Sequence, residues 1–231
     1  TRFSAVSPQG FQKALMVNIL KTQAQNLLAA GSEHDRARFL SVRGQYAAAW
    51  LSAVPSRAEL TLTSSAFRLA IRLQLGLPLF LNLPSHCCCI QQTDLHAHPT
   101  HLFSCSLLRR RSVLVRHNLL LNVLKAYATK ANLTTELEPK HANGKQTDLA
   151  ILGPGCDILV DVAVISPTAP TYVRGAQKPL GAANTREKAK CSTYEELVLP
   201  SSSHPWVLES YGAWGKCAVN LLKRLSQQVA D

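Results

Sequence analysis

Acidic residues are scarce in this chain of 231 residues: 14 Asp and Glu stand against 25 Lys and Arg, for a formal net charge of +11 and a pI near 9.6. A surplus of that sign favours partners of negative charge. It suits a polyanion, because each phosphate contacted releases condensed counterions. Charged residues of both signs make up only 17%, and apolar ones 46%, a balance that excludes a disordered tail. No uninterrupted apolar run reaches about 18 residues, so no membrane span is expected. A single methionine, Met16, lies inside an apparent helix, and "TRFSAVSPQG" offers neither an initiator Met nor a signal-peptide core. The expectation is a piece of a longer chain that is nuclear or cytoplasmic and not secreted.

The length suits one large domain or two small ones. Helical signals fill the first part. Ser7-Pro8 places a cap before a proline at the first helical position, and that helix ends at Gly31. Ser32 and Asp35 have capping-box spacing ahead of "EHDRARFLSVR". In "SSAFRLAIRLQLGLPL", Phe67, Ile71 and Leu75 share a face and Arg68 and Arg72 another, with Gly76 and Pro78 as the stop. A basic stretch then runs into a long helix, "LLRRRSVLVRHNLLLNVLKAYATKAN". Beyond residue 132, "LTTELEP", "TDLAILG" and "DILVDVAVISP" read as strands. "NTREKAKCSTYEEL" reads as a helix and "HPWVLES" as a further strand. "WGKCAVNLLKRLSQQVA" closes the chain as an amphipathic helix with Ala218, Leu221, Leu222 and Leu225 inward. No internal repeat is visible.

Residues 86–105, "HCCCIQQTDLHAHPTHLFSC", hold four of the seven cysteines and four of the eight histidines. Cys87-x-Cys89 followed by His101-x3-Cys105 offers a Cys3His set, which tetrahedral zinc accepts when two ligands come from each of two short loops. Cys88, His86, His96 and His98 are spare candidates. The competing reading is buried cysteines beside a polar histidine loop. An odd cysteine count without a secretory signal favours metal ligation over disulfides.

In "TDLAILGPGCDILVDVAVIS", a hairpin centred between Pro154 and Gly155 places Asp148 directly opposite Asp161. Residues so opposed have Cβ atoms about 4.5–5.5 Å apart, and like charges there repel. Alternation puts Val160, Val162 and Val164 on one face and Asp161, Ala163 and Ile165 on the other. Two acids held together suit Mg²⁺, which takes one or two carboxylates and fills its shell with water and phosphate oxygens. The alternative is a pair of solvated aspartates on an open sheet face.

The order Cys-x-Cys…His-x3-Cys, "RHN", "EP", "TDL", "DVAVISP", "REKAKCSTY" resembles the C-terminal region of non-LTR retrotransposon polyproteins, from about residue 35 onward. That region carries a zinc knuckle and a restriction-like endonuclease of the PD-(D/E)xK superfamily. The resemblance implies Mg²⁺-dependent cleavage of DNA to leave a priming hydroxyl, with DNA and the parent element's RNA as partners. It implies a mixed α/β (α+β) fold: a helical region over 1–80, a Cys/His zinc-knuckle linker over 81–108, and an α-β-β-β-α-β core within 109–231. Asp148 and Asp161 correspond to the two metal-binding acids, with Glu138 of "EP" as a third ligand. The lysine two positions after the second acid is Ala163 here, so Lys190 of K-x3-Y, with Tyr194, takes its place and Lys188 stands in reserve. Thr147 replaces the family's proline, "HANGKQ" is looser than the usual basic run, and the knuckle lacks its glycines.

Arg109, Arg110, Arg111 and Arg116 stand where a duplex would lie, as phosphate contacts or as a solvated charge run. Trp206, Tyr211 and Trp214 are expected in the core in preference to stacking on bases. An inactive nucleic-acid-binding remnant of the same origin is the alternative function.

Overall fold

The computed structural model describes residues 8–230 apart from 57, 81, 83, 104, 106, 108, 142–143, 154–155 and 195–202. Ser7 and the Pro154-Gly155 turn therefore lie outside the described residues. Ten elements follow one another: α1 (Pro8–Ala30), α2 (Glu33–Val42), α3 (Ser64–Leu75), α4 (Arg109–Lys130), β1 (Thr134–Leu137), β2 (Leu149–Gly153), β3 (Cys156–Ile165), α5 (Gly181–Tyr194), β4 (Ser203–Glu209) and α6 (Lys216–Ala230).

Local chemistry sets the helix ends. Ser32 Oγ accepts from the Asp35 N–H at 3.1 Å and its hydroxyl donates to the Asp35 carboxylate at 2.7 Å, capping α2. Thr63 caps α3, and Gly76 ends it in the left-handed conformation at φ 70°. Gly76 also lets Arg38 pass, since a Cβ there would lie 2.5 Å from Arg38 Nε.

The four strands form one mixed sheet in the order β1-β2-β3-β4, the first three antiparallel and β4 parallel to β3. Leu149 pairs with Val160 and Ile151 with Ile158, the register expected from a turn centred between Pro154 and Gly155. Alternation then gives each face its own core. On one, Leu149, Ile151, Ile158, Val160, Val162 and Trp206 meet Leu121, Leu124 and Ala128 of α4 and Ala218, Leu221 and Leu225 of α6. On the other, Ile165 and Val207 pack with Ala182 and Ala183 of α5 and with Ala37 of α2. Ala37 of α2 thus packs in the same cluster as Ile165 and Val207 of the sheet.

The parallel β3–β4 pair requires a crossover, and α5 supplies it. Two buried carboxylates seat that crossover. Glu209, at the end of β4, accepts from the Ala183 N–H at 3.0 Å in the first turn of α5, and Glu187 of α5 accepts from the Cys217 N–H at 3.0 Å in the first turn of α6. Each satisfies an amide that the helix itself leaves without a partner. Among the described residues no helix is long and apolar enough to cross a membrane.

Candidate functional site

Asp148 directly precedes β2, and its backbone continues the antiparallel ladder by donating to Val160 O at 3.1 Å. Its carboxylate turns onto β3, where Oδ2 accepts from the Val162 N–H at 2.6 Å, and it meets His117 Nε2 of α4 at 3.0 Å. Asp161 lies on the α5-facing side of β3, and its Oδ2 is 2.5 Å from Lys190 Nζ. Both members of that pair are buried, Lys190 at 8% exposure and Asp161 at 9%. A buried ammonium without a carboxylate would be severely penalised, so each charge holds the other in place.

The side chains of the two aspartates interact, so each acts on the other's ionisation. Burial, and then Asp148, push Asp161 above the ordinary carboxyl range, against the pull of Lys190. Burial also acts to raise Asp148, but hydrogen bonds from Asp161, His117 and the Val162 N–H outweigh it and leave Asp148 below its ordinary value. The arrangement is a pair of unequal acids, Asp148 the more readily ionised and Asp161 the less, with a lysine against the second.

Two further contacts tie α5 to the segment before Asp148. Tyr194 Oη donates to Gln146 O at 3.1 Å, and Lys145 Nζ donates to Thr193 O at 2.6 Å. Burial, then Asp161, push the Tyr194 phenol well above its usual range, which keeps it a donor. Thr147, at the position where the resembled family has proline, is buried, and its hydroxyl meets His141 Nε2 at 3.1 Å.

Not every sequence candidate gathers here. Glu138 closes β1 in a left-handed turn at φ 51°, is exposed, and accepts from Gln146 Nε2 at 3.3 Å. Among the described residues, no group of three or more Cys, His, Asp or Glu ligand atoms within 4.8 Å of one another includes Glu138 or either aspartate. Lys188 is exposed on α5. Arg116 is half-buried beside Leu119, Leu120 and Val164, so desolvation lowers its pKa; it is not a free surface cation. Arg109, Arg110 and Arg111 open α4, but their side chains lie outside the described residues. Trp206 and Tyr211 are buried, and Trp214 meets Trp206 edge-on at 6.1 Å. Sequence reasoning missed the role of His117. Its only signal was "RHN" in the order of motifs, since nothing local links α4 to β2.

The second site is a cluster of Cys87, Cys89, His101 and Cys105, whose ligand atoms all lie within 4.8 Å of one another. Cys87 Sγ is 3.6 Å from Cys105 Sγ, and Cys89 Sγ is 3.2 Å from His101 Nε2. The three cysteines are buried around Leu95, whereas Cys88 is exposed. Against a backbone hydrogen bond from Cys89 that lowers it, burial and the Cys105 and Cys89 thiols push Cys87 up to about 11. Three sulfurs gathered this way repel one another as thiolates, and a divalent cation such as zinc resolves that conflict.

The loop between the ligand pairs turns without glycine. Gln92 takes a left-handed φ of 42°, and the Asp94 carboxylate accepts from the His96 and Ala97 N–H groups at 2.8 and 3.2 Å. Thr100 fixes the cluster to the sheet domain through Thr168 Oγ1 at 3.0 Å. No family model matches this chain, and no curated protein matches it.

Proposed function

We propose that the chain is a metal-dependent DNA endonuclease domain of the restriction-like type found at the C-terminus of non-LTR retrotransposon polyproteins. One observation carries the reading: Asp148, just ahead of β2, stands beside Asp161 of β3, and Asp161 pairs with Lys190 from the crossover helix. Structural carboxylates rarely sit side by side without a cation, because like charges raise each other's pKa.

Asp148 and Asp161 would hold Mg²⁺, which when bound supplies Lewis-acid polarisation of a phosphoryl oxygen and a more acidic water. The chain's own residues supply position and charge. The Val162 N–H and His117 orient the Asp148 carboxylate, and Lys190 orients Asp161 while placing a cation where phosphorane charge develops. Tyr194 and Lys145 keep α5, and so Lys190, in register with the strand that delivers Asp148. The Cys3His cluster would bind zinc and brace the segment that leads into α4.

A second reading, a nucleic-acid-binding remnant that has lost cleavage, draws on Ala163, which occupies the superfamily's usual lysine position. Plasmid nicking with Mg²⁺ separates the two. Wild type nicks and Asp148→Ala does not under the first reading; equal behaviour of both proteins removes the enzyme.

A further inference from the structure

A cavity of about 780 Å³ opens between the C-terminal turns of α4, the outer face of α6 and the loop that follows α2. Four aromatic rings reach it, Tyr46, Trp50, Tyr127 and Trp214, with Lys130 and Lys223 beside them and no acidic residue in its lining. The chain has only 14 Phe, Trp and Tyr, so the gathering is not what an even spread would give. Tyr46 and Tyr127 are 47% and 48% exposed, so they are not core residues. Lys130 Nζ lies 5.9 Å from the Tyr127 ring centroid, presenting cation and ring together, and Tyr46 stands edge-on to Trp214 at 5.8 Å.

The cavity is held open by packing. Tyr46 keeps a left-handed φ of 65°, a conformation that costs a non-glycine residue energy and persists only where its surroundings enforce it. On either side the loop is locked: a Cβ on Gly44 would lie 2.5 Å from Ala213 Cβ, and one on Gly212 would lie 2.9 Å from Ala47 O. Gln74 Nε2 donates to that same Ala47 carbonyl at 3.0 Å. A pre-formed cavity of several hundred Å³ with an apolar floor and a few placed cations is a ligand site by size and chemistry.

We propose that this cavity binds single-stranded nucleic acid, with unstacked bases on the tyrosine and tryptophan rings and the backbone phosphates on Lys130 and Lys223. A duplex keeps its bases stacked internally and offers these rings nothing, whereas every unpaired base has a face to stack. Tyr127 and Lys130 share α4 with His117, and at 1.5 Å per residue Lys130 lies about 20 Å along that helix from the Asp148 contact. The assignment does not depend on the endonuclease reading.

The test is fluorescence anisotropy without magnesium, using labelled oligothymidylate, labelled oligouridylate and a hairpin duplex as probes. Wild type should prefer the single strands, with quenching of tryptophan emission. Tyr127→Ala should weaken single-strand binding about tenfold. Lys130→Gln with Lys223→Gln should reduce the slope of log K against log salt by about 1.4, the value for two single-strand phosphate contacts. Binding is read without magnesium and nicking is read only with it, so loss of single-strand binding here is distinct from failure of the nuclease reading. Tighter binding of one single-stranded probe identifies DNA or RNA as the occupant, and equal binding supports stacking common to both. Wild-type affinity in Tyr127→Ala and Tyr46→Ala, or a duplex that displaces the labelled strand as well as unlabelled single strand does, overturns the assignment.

Discussion

Lys190 Nζ of α5 lies 2.5 Å from Asp161 Oδ2 of β3, and the two side chains are buried together. The pair is the point where the crossover helix meets the acidic hairpin. It brings a cation to the place where the side chains of Asp148 and Asp161 interact.

On the proposed endonuclease reading, Lys190→Ala should reduce plasmid nicking by about 10²–10³-fold, the usual loss when one group aimed at developing transition-state charge is removed. Lys188→Ala, on the exposed side of the same helix, should nick at close to the wild-type rate. Parallel rates measured at saturating DNA check both. Equal losses in the two variants would mean that only the net charge of α5 matters.

Cys89→Ser should lower the zinc content of protein purified without added metal to well under one equivalent, because it removes one of four ligand atoms from a closed site. Cys88→Ser changes an exposed neighbour and should leave the content unchanged. Elemental analysis of both proteins distinguishes a built site from a cysteine-rich loop.

Glu209 carries a pH signature. Burial pushes its pKa above the ordinary 4.5, so the folded state holds its proton more tightly than the unfolded chain does. The stability this group contributes is therefore complete below 4.5 and is lost as pH rises through the raised value. Glu209→Gln keeps an oxygen acceptor for the Ala183 N–H and cannot ionise. Urea denaturation should show the variant gaining stability over wild type as pH rises from 4.5 to neutrality. Parallel pH profiles would place the ionisation elsewhere.

Gly212 and Gly144 both adopt positive φ, at 103° and 77°, but only Gly212 is crowded, by the Ala47 backbone. Gly144→Ala should cost about 1–2 kcal/mol from backbone strain alone. Gly212→Ala should cost more, because Ala47 must also move. Thermal denaturation of the two variants tests the order.

The sequence was legible wherever the deciding interaction is local. The Ser32–Asp35 cap, the Gly76 stop and the Leu149–Val160 register follow from short-range hydrogen bonding and strand period. A one-residue slip would have turned Ile158, Val160 and Val162 out of the core. The set Cys87, Cys89, His101 and Cys105 was readable because few side chains ligate metals and these lie within one short segment.

Long-range packing decided the rest. Which lysine of α5 faces Asp161, and that His117 reaches Asp148, depend on how two helices settle on opposite faces of the sheet. Neither the period nor the composition of either helix encodes that. Packing also left Glu138 with Gln146, drew Arg116 against leucines, and seated Glu187 and Glu209 under helix starts. By itself the sequence determined which elements form and which faces they bury, because those depend on neighbours a few residues away. Only the tertiary structure decided which charges meet, because a buried ion pair requires partners from distant elements at hydrogen-bonding distance, and the packing of the whole core sets that distance.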